Sequence, residues 1–320
     1  MSFMRVLCLD SVFMFACKRC SYLVGREGAA SLHNPVIADE NLADPTVLFY
    51  QGTYYLYATG DWKGFDVYTS KDLVHWVKGP RVLELQIKDV WAPDVFHDPL
   101  DGRFHLYYSA DVKIGVAVAD DPKGPFEDRG ILIEDAIDPH LFLDDDGSYY
   151  LYYEALDPWN DIRHLSVPTS RIVVQPMAEP LKMAGAPKVL LEPDQEWERG
   201  WVRIVEAPWI LKDGSVYYLM YSANAAFSSD YAIGYATSES PMGPFRKYPN
   251  NPIVAKGNGV IGPGHHSVIQ REDGSLWIVY HQKASRVWGW KRFVCIDRLE
   301  IDPAGALHVI PTPRRSPGRA

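Results

Sequence analysis

One short pattern, a glycine followed by an aromatic-rich strand, occurs five times in this chain and limits its possible folds more than any other feature. The copies begin at Gly52, Gly102, Gly147, Gly214 and Gly274. They are GTYYLYAT, GRFHLYYSA, GSYYLYYEA, GSVYYLMYSA and GSLWIVYHQ, at intervals of 50, 45, 67 and 60 residues. This spacing is too long for a single hairpin, but it suits a four-stranded unit with its loops. Radial arrays of such units form β-propellers.

The sequence around each copy supports the same architecture. An apolar run precedes each glycine, so that run, turn and repeat together indicate a β-hairpin. Residues 114–126 (IGVAVADDPKGPF) also resemble residues 233–245 (IGYATSESPMGPF), as expected for an outer strand and its turn. Stretches with the apolar period of a helix are scarce. We therefore predict an all-β fold, a five-bladed β-propeller with four-stranded antiparallel blades around a central channel; the alternative is a β-sandwich.

This interpretation divides the chain into a leader at 1–31, a propeller domain at 32–312 and a tail at 313–320. The leader faintly resembles a signal peptide, but Asp10 interrupts its apolar stretch and no clear cleavage site follows. We therefore expect a poorly ordered leader and a cytoplasmic rather than secreted protein. Three of the four cysteines, Cys8, Cys17 and Cys20, lie in the leader, so no disulfide framework is expected in the body.

Charge and composition argue against several classes of function. The net charge is −9, whereas nucleic acids and anionic membranes select basic surfaces. No apolar run approaches the roughly 18–20 residues that a membrane-spanning helix needs. The 10 Trp and 19 Tyr residues indicate either an aromatic β core or a surface on which rings stack against a neutral ligand. We therefore expect no nucleic-acid partner, no membrane partner and no organic cofactor.

An ionisable residue stands eight or nine positions before each repeat glycine: Asp44, Asp94, Asp138, Glu206 and the pair His265–His266. Because the innermost strands of a propeller line its axis, we predict that these side chains meet at the mouth of the channel. Several carboxyls in a partly dry cleft cannot all stay ionised, which leaves one as a base and another as an acid. Hydrolysis of a glycosidic bond requires that pairing. For any single Asp-Pro pair the alternative is ordinary turn chemistry.

Five short motifs follow one another at blade spacing: Ala43-Asp44-Pro45, Trp91-Ala92-Pro93-Asp94, Ile137-Asp138-Pro139, Glu206-Ala207-Pro208 and Gly262-Pro263-Gly264-His265. With them, the segment from about 34 to 302 resembles glycoside hydrolase family 43. These five-bladed propeller enzymes include β-xylosidases, α-L-arabinofuranosidases and arabinanases. The resemblance implies that Asp44 is the general base, that Glu206 is the general acid, and that Asp138 orients the acid and sets its pKa. It also implies a single displacement that inverts the anomeric centre. The family usually has Gly where this chain has Ala207, a mild departure.

The resemblance implies roles for further residues. His265 would lie near the channel axis, where many family members hold a calcium ion through mostly water ligands, with His266 as the alternative if the register slips by one. Calcium prefers oxygen ligands, so a simple hydrogen-bonded histidine is the other interpretation of His265. Asp94 has no catalytic counterpart in the family and is expected to be structural.

Two more residues are predicted to contact the sugar. Trp91 would form a wall of the sugar site, since an indole packs against the apolar face of a sugar ring; packing between blades is the alternative. The segment KRFVCIDRLEID resembles the family segment that delivers an arginine to the sugar that is cleaved off, which implies this role for Arg292, chosen over Arg298. Other tryptophans that could line the pocket are Trp62, Trp159, Trp201 and Trp288.

The predicted function is that of an inverting exo-glycosidase. It would remove terminal pentose, β-D-xylose and/or α-L-arabinofuranose, from plant cell-wall oligosaccharides. An endo-1,5-α-L-arabinanase, with an open groove in place of a pocket, is the alternative within this class. A non-catalytic sugar-binding propeller would be expected to lack at least one of the three acids. The related retaining propellers typically begin with an Asn-Asp-Pro-Asn-Gly type of motif, whereas this chain has Ala43-Asp44-Pro45-Thr46.

Overall fold

A computed structural model describes residues 32–156 and 169–315, which form five antiparallel β-sheets. Each sheet is one blade, and its strands follow one another along the chain. Blade 1 contains β1 (Ala43–Tyr50), β2 (Thr53–Thr59), β3 (Gly64–Ser70) and β4 (Val77–Glu84). Blade 2 contains β5 (Val90–His97), β6 (Phe104–Ala110), β7 (Lys113–Ala119) and β8 (Glu127–Glu134).

The other three blades repeat this order. Blade 3 contains β9 (Ala136–Leu143), β10 (Tyr149–Leu156), β11 (Ser170–Glu179), β12 (Lys182–Met183) and β13 (Lys188–Leu191). Blade 4 contains β14 (Val205–Asp213), β15 (Val216–Ala223), β16 (Ala232–Ser238) and β17 (Arg246–Lys247). Blade 5 contains β18 (Gly264–Gln270), β19 (Leu276–Lys283), β20 (Arg292–Ile301) and β21 (Leu307–Val309).

The first strand of every blade lies innermost. Strands β1, β5, β9, β14 and β18 contact one another in that order, and β1 also contacts β18, so the ring of blades is closed. The predicted five-bladed propeller is confirmed, and the β-sandwich alternative is wrong. Blade 3 differs from the others by a fifth strand, because β13 pairs with β11 beside the short β12. Among the described residues no helix is long and apolar enough to cross a membrane.

The tyrosine near the end of the repeat explains part of the aromatic pattern. Tyr57, Tyr107 and Tyr152 occupy the second strands of blades 1, 2 and 3 and are fully buried. Each hydroxyl donates a hydrogen bond to a proline carbonyl of the next blade, the acceptors being Pro122, Pro180 and Pro241. A buried phenol needs such an acceptor, because an unsatisfied hydroxyl in apolar surroundings is destabilising. The repeat therefore encodes contacts between neighbouring blades as well as the strand itself.

The ring is closed partly by the segment that precedes β1. Val36 donates its backbone N–H to the Val294 carbonyl at 3.1 Å, and Arg292 donates its N–H to the Glu40 carbonyl at 2.9 Å. These bonds attach the beginning of blade 1 to β20 of blade 5. As a result, Arg292 at the start of β20 lies close to the inner strand β1.

Candidate active site

Each inner strand contains a bulge near its beginning, where one residue adopts the left-handed backbone conformation. The pairing register with the second strand shifts at each bulge. The residues and their φ angles are Asp44 (51°), Ala92 (50°), Asp138 (56°), Ala207 (50°) and His265 (43°). Bulges re-aim side chains and are frequent beside active sites. The five left-handed residues define which positions are structurally equivalent among the blades.

This equivalence corrects the register predicted from the sequence. Asp44, Asp138 and His265 occupy the bulge position itself, whereas Glu206 stands one residue before it and Asp94 two residues after it. Counting back from the repeat glycine misaligned them because the turn between the first and second strands differs in length among the blades. The five ionisable residues are therefore not at equivalent positions.

Most of them nevertheless converge on one pocket at one end of the channel. The pocket has a volume of about 260 Å³. Its lining includes the six predicted site residues Asp44, Trp91, Asp138, Glu206, His265 and Arg292. The sequence therefore identified a set of residues that are close together in the fold, although it misjudged their register.

Asp94 is the predicted rim residue that does not line this pocket. Its buried carboxylate accepts hydrogen bonds from Thr46 Oγ1 at 3.3 Å and from the Leu141 backbone N–H at 2.9 Å. His140 Nδ1 lies 3.2 Å from the same carboxylate. These contacts join the inner strands of blades 1, 2 and 3, which agrees with the structural role expected for Asp94.

Asp44 is held as a carboxylate. Arg292 Nη1 donates to Asp44 Oδ1 at 2.8 Å, and His265 Nδ1 lies 3.5 Å from the same oxygen. Burial by itself would raise the pKa of Asp44, but the Arg292 guanidinium, assisted by His265, outweighs burial and lowers the pKa well below its usual range. Asp44 is therefore ionised at neutral pH.

His281 supports Asp44 from the backbone side. The Asp44 N–H can only donate, so His281 Nδ1, at 3.2 Å, must accept its hydrogen bond. Burial and the nearby Arg292 charge lower the pKa of His281 to about 3, so its ring is neutral at neutral pH. The neutral ring fixes the bulge that presents the Asp44 carboxylate.

Glu206 and Asp138 have the opposite electrostatic character. Burial raises the pKa of Glu206 to about 7, the Asp44 charge adds to that shift, and Tyr231 and Arg292 oppose it. Burial likewise raises the pKa of Asp138 to about 7, with His265 opposing and Glu206 and Asp44 contributing to the rise. Two such neighbours titrate as a pair, and they retain a proton near neutral pH. The pocket thus combines a carboxylate with a protonated carboxyl.

Asp138 also contacts the backbone beside Glu206. Its Oδ2 accepts the Ala207 N–H at 3.1 Å, and Ala207 directly follows Glu206. The carboxyl of Asp138 therefore positions the bulge that carries Glu206, in addition to acting on its charge.

Hydrogen bonds across four of the blade junctions share one geometry. At each, a side chain near the end of the second strand accepts the N–H of the left-handed residue in the next blade. The pairs are Thr59 with Ala92 (2.9 Å), Ser109 with Asp138 (2.9 Å), Ser222 with His265 (2.9 Å) and His281 with Asp44 (3.2 Å). The four acceptors stand opposite the residue just before the bulge.

The junction between blades 3 and 4 is different. Glu154 occupies the equivalent position on β10, but the Ala207 N–H is taken by Asp138 instead. Glu154 is 1% exposed, and its Oε2 has no hydrogen-bond partner among the described residues. Its carboxyl oxygens lie within 4.8 Å of those of Asp138 and Glu206. Burial, together with those two carboxyls, raises the pKa of Glu154 well above its usual range.

Sequence analysis missed Glu154, although the repeat contains a signal. Glu154 is the penultimate residue of the copy GSYYLYYEA, and the other copies have Thr, Ser, Ser and His at the equivalent position. A glutamate that replaces a small polar residue at one repeat out of five marks the unusual blade. That signal has meaning only once the shared hydrogen bond at the junctions is known.

The other predicted residues divide between the pocket and the surface. Trp62 lines the pocket together with Trp91, and so does Trp290, which was not among the predicted tryptophans. Arg298 lies on the surface, 3.5 Å from Glu300, so Arg292 is the arginine of the pocket. Trp201 and Trp288 are exposed and outside the pocket lining. Trp159 and the leader at 1–31 lie outside the described residues.

The surroundings of His265 supply few ligands for calcium. His265 Nδ1 is 3.5 Å from Asp44 and 3.6 Å from Asp138, so it is engaged with carboxylates. The neighbouring His266 is the histidine whose two buried ring nitrogens lack partners among the described residues. Calcium takes six to eight oxygens, whereas the narrow channel beside these histidines has only two carboxyl side chains among the described residues of its lining, those of Asp94 and Asp138. The side chains present do not form a calcium cage, and an axial calcium ion held through water stays a prediction.

A larger cavity, of about 590 Å³, opens at the opposite end of the channel. Its lining consists mostly of aliphatic and aromatic side chains from the second halves of the inner strands. None of the six predicted residues that share the smaller pocket contributes to it. The chemistry of the site is therefore confined to one mouth.

Comparison with known proteins agrees with this geometry. The model for "Glycosyl hydrolases family 43" matches residues 32–307. The chain is 29% identical over 298 residues, 83% of this chain and 81% of the relative, to the β-D-galactofuranosidase XynD of Aspergillus niger. It superposes on a thermostable family-43 glycoside hydrolase with a TM-score of 0.81 and 37% identity, covering 90% of this chain and 98% of that one.

A second solved structure is almost as similar. It is an endo-1,4-β-xylanase from Bacteroides thetaiotaomicron, with a TM-score of 0.77 and 32% identity over 86% of this chain and 97% of that chain. The fold, the pocket with its three acids and the match over most of the sequence agree with one another. The chain belongs to glycosyl hydrolase family 43.

Proposed function

We propose that this glycoside hydrolase is an inverting exo-glycosidase that releases terminal β-D-xylose and/or α-L-arabinofuranose from plant cell-wall oligosaccharides. The observation that carries the proposal is the opposite protonation of two carboxyls in one small pocket. Asp44 has a lowered pKa and Glu206 a raised pKa, of about 7. An acid and a base whose pKa values are shifted apart in this way meet the requirement for hydrolysis at neutral pH.

The reaction proceeds in one displacement. A water molecule attacks the anomeric carbon while Asp44 takes one of its protons. The bond from that carbon to the leaving oxygen breaks, its electron pair stays on the oxygen, and Glu206 supplies the proton that makes it a hydroxyl. Asp44 ends protonated and Glu206 ends ionised, and exchange with solvent restores both. The new C–O bond forms on the face opposite the leaving group, which inverts the anomeric centre.

The remaining pocket residues position these two groups. Asp138 holds the backbone beside Glu206 through Ala207 N–H, and its carboxyl titrates together with that of the acid. Arg292 keeps Asp44 ionised and, from the same place in the pocket, can donate to a sugar hydroxyl. Trp91 supplies an indole wall on which a sugar ring can pack.

Pocket size supports exo action on a single sugar. A volume of about 260 Å³ is below the roughly 300–1,000 Å³ of typical drug-sized ligand pockets, so it suits one ring better than a chain. Relatives of this chain are named xylosidase/arabinosidase (Bacteroides ovatus), β-xylosidase (Bacillus subtilis) and exo-α-(1→5)-L-arabinofuranosidase (Cellvibrio japonicus). These names support a terminal pentose as the substrate.

β-D-Galactofuranose is a second candidate sugar. The observation that favours it is the similarity to the galactofuranosidase of Aspergillus niger. Galactofuranose carries an exocyclic side chain longer than that of arabinofuranose, so the pocket must accommodate additional atoms. An endo-arabinanase activity is also represented among the relatives, in Bacillus subtilis, and would need a groove that binds sugars on both sides of the cleaved bond.

A panel of substrates tests the proposal. It contains the nitrophenyl β-D-xylopyranoside, α-L-arabinofuranoside and β-D-galactofuranoside, together with xylobiose, arabinobiose and linear arabinan. We expect release of free pentose, with the inverted anomer formed first when the reaction is followed by proton NMR. Cleavage of the galactofuranoside alone would select the second candidate. Internal cleavage of arabinan would select the endo enzyme, and no cleavage of any substrate would overturn the proposal.

The pH profile provides a further check on the roles. Since Glu206 must be protonated and its pKa is raised to about 7, kcat/KM should fall as the pH rises above that value. The lowered pKa of Asp44 keeps the base ionised well into the acid range, so the acid side of the profile should stay flat near neutrality.

A further inference from the structure

Four aromatic side chains form a continuous exposed surface beside the pocket. The ring centroids of Phe227 lie 5.2 Å from Trp290, 5.3 Å from Trp288 and 6.0 Å from Trp201, and those of Trp201 and Trp288 are 5.0 Å apart. The three tryptophans are 64% (Trp201), 58% (Trp288) and 51% (Trp290) exposed. We call these four residues the aromatic ridge. Contiguous exposed aromatic surface of this kind marks a binding site more often than chance.

The ridge is built from three separate connections between strands. Trp201 precedes β14, Phe227 lies between β15 and β16, and Trp288 and Trp290 lie between β19 and β20. A backbone hydrogen bond of 3.3 Å from the Gly289 N–H to the Phe227 carbonyl ties two of these connections together. Three loops that are distant in sequence thus present their rings on one surface.

One end of the ridge enters the pocket. Trp290 lines the pocket, packs edge-on against Trp62 at 5.7 Å, and lies under the Arg292 guanidinium at 5.5 Å. Ala226, the residue before Phe227, also lines the pocket. The ridge is therefore continuous with the site that holds the reacting sugar.

The other end lies over the blade that supplies the acid. Trp201 is on the segment that leads into β14, five residues before Glu206, and Phe227 belongs to a connection of the same blade. Asp44, the base, is on blade 1 instead. In an inverting reaction the acid stands on the side of the leaving group and the base on the opposite side. The ridge consequently extends in the direction in which the leaving group continues.

We infer that the aromatic ridge binds the leaving-group portion of an oligosaccharide, so that the enzyme selects substrates of three or more sugars. This inference rests on the proposed function of the pocket. Sugar rings have apolar faces that pack on indoles, and their hydroxyls stay in solvent at an exposed surface of this kind. A net charge of −9 disfavours an anionic lipid surface as the occupant.

The test compares substrates that differ in length. It uses the nitrophenyl pentoside, disaccharide and trisaccharide of β-1,4-linked xylose and of α-1,5-linked arabinose, so that the two possible sources of the ligand are separated. In the series that is cleaved, kcat/KM should rise about tenfold from the disaccharide to the trisaccharide, because another ring stacks on the ridge.

Ridge variants then connect the length effect to these residues. In Trp288→Ala the ratio of kcat/KM on the trisaccharide to that on the nitrophenyl pentoside should fall about tenfold, mainly through KM. Trp288→Phe, which keeps a ring, should retain most of the ratio. Val287→Ala is the matched control, since Val287 is 73% exposed on the same connection and carries no ring. Its ratio and melting temperature should equal those of the wild type.

Every other outcome contradicts either the inference about the aromatic ridge or the proposed function of the pocket. An unchanged ratio in both Trp288→Ala and Trp201→Ala would overturn the inference, as would a dimer that dissociates in these variants, because a second copy would then cover the ridge. If the wild type cleaves no nitrophenyl glycoside, the proposed function fails instead. Calorimetric binding of xylotriose and arabinotriose to the wild type and Trp288→Ala then decides the inference directly, and equal affinities would refute it.

Discussion

The junction between blades 3 and 4 differs from the other four junctions of the propeller. At the other four junctions, a Thr, Ser or His side chain accepts the N–H of the next blade's bulge residue. At the junction between blades 3 and 4, Asp138 accepts that N–H instead. Glu154 is left buried there, with one oxygen unpartnered among the described residues. The repeating hydrogen bond is thus replaced beside Glu206, the proposed general acid.

This difference shows how a repetitive fold accommodates one catalytic site. A buried carboxyl without a full set of partners is unfavourable, and it stays neutral to avoid the cost of a buried charge. Three buried carboxyls, at Asp138, Glu154 and Glu206, lie within 4.8 Å of one another. Burial raises the pKa of each of them, and repulsion from the neighbouring carboxyls adds to the rise at Asp138 and Glu154, so the group keeps a proton available at neutral pH.

The largest effect is expected from removing the acid at the third junction. Glu206→Ala should lower kcat on disaccharides by about 10³-fold, because the leaving oxygen loses the group proposed to protonate it. The loss should be much smaller on nitrophenyl glycosides, whose leaving group departs as an anion. Steady-state kinetics on both substrates measure the difference, and equal losses on the two would contradict the assignment.

Asp44→Ala is the matching control for that experiment. Because the base acts on water rather than on the leaving group, its removal should impair both kinds of substrate by a similar factor.

A smaller effect is expected from Asp138→Asn, which keeps an acceptor for Ala207 N–H but removes a charge. We expect kcat to fall roughly 10–100-fold and the alkaline limb of the pH profile to move to lower pH, since loss of a like charge lowers the pKa of Glu206. The pH dependence of kcat/KM is the measurement. A limb that stays in place would mean that Asp138 acts by positioning alone.

A substitution at one of the other four junctions should change the free energy of unfolding rather than the pH profile. Thr59→Val keeps the shape of the side chain but leaves the buried Ala92 N–H without its acceptor, which should reduce the free energy of unfolding by about 1–3 kcal/mol. Urea unfolding measures that change. The alkaline limb should keep its wild-type position, and a displaced limb would erase the distinction between the two kinds of junction.

The smallest effect is expected from Glu154→Gln. The pKa of Glu154 is raised in the folded protein, so the native state binds more protons than the unfolded chain and loses stability as the pH rises above about 4.5. The variant should therefore lose less melting temperature than the wild type between pH 5 and pH 8, by about a few degrees. Parallel curves for the two proteins would show that Glu154 does not titrate with the acid group.

Several features of the site were predictable because they depend on local sequence. The repeat glycines and tyrosines indicate strands, turns and their number. The short motifs around Asp44, Asp138 and Glu206 stand at the beginning of inner strands, and the topology of a propeller brings those beginnings together. Asp94 was misaligned because counting along the chain does not reveal a bulge or a turn of different length.

Other features depend on contacts that the sequence does not display. Glu154 looks like one more polar end of a strand until the blades are closed and its carboxyl is enclosed with two others. The aromatic ridge joins residues from three loops, and no local pattern indicates that their rings touch. The protonation states of the carboxyls are not displayed by the sequence either, because burial and neighbouring charges are properties of the assembled fold.

The sequence by itself therefore determined the number of blades, the all-β class and the identity of three acids, because these are written in periodic and local patterns. The tertiary structure alone decided which acid is ionised, which is protonated and what lies around them. The physical reason is that Arg292 and Asp44 are 248 positions apart in sequence and 2.8 Å apart in space. Only ring closure creates that contact and the dry pocket in which it acts.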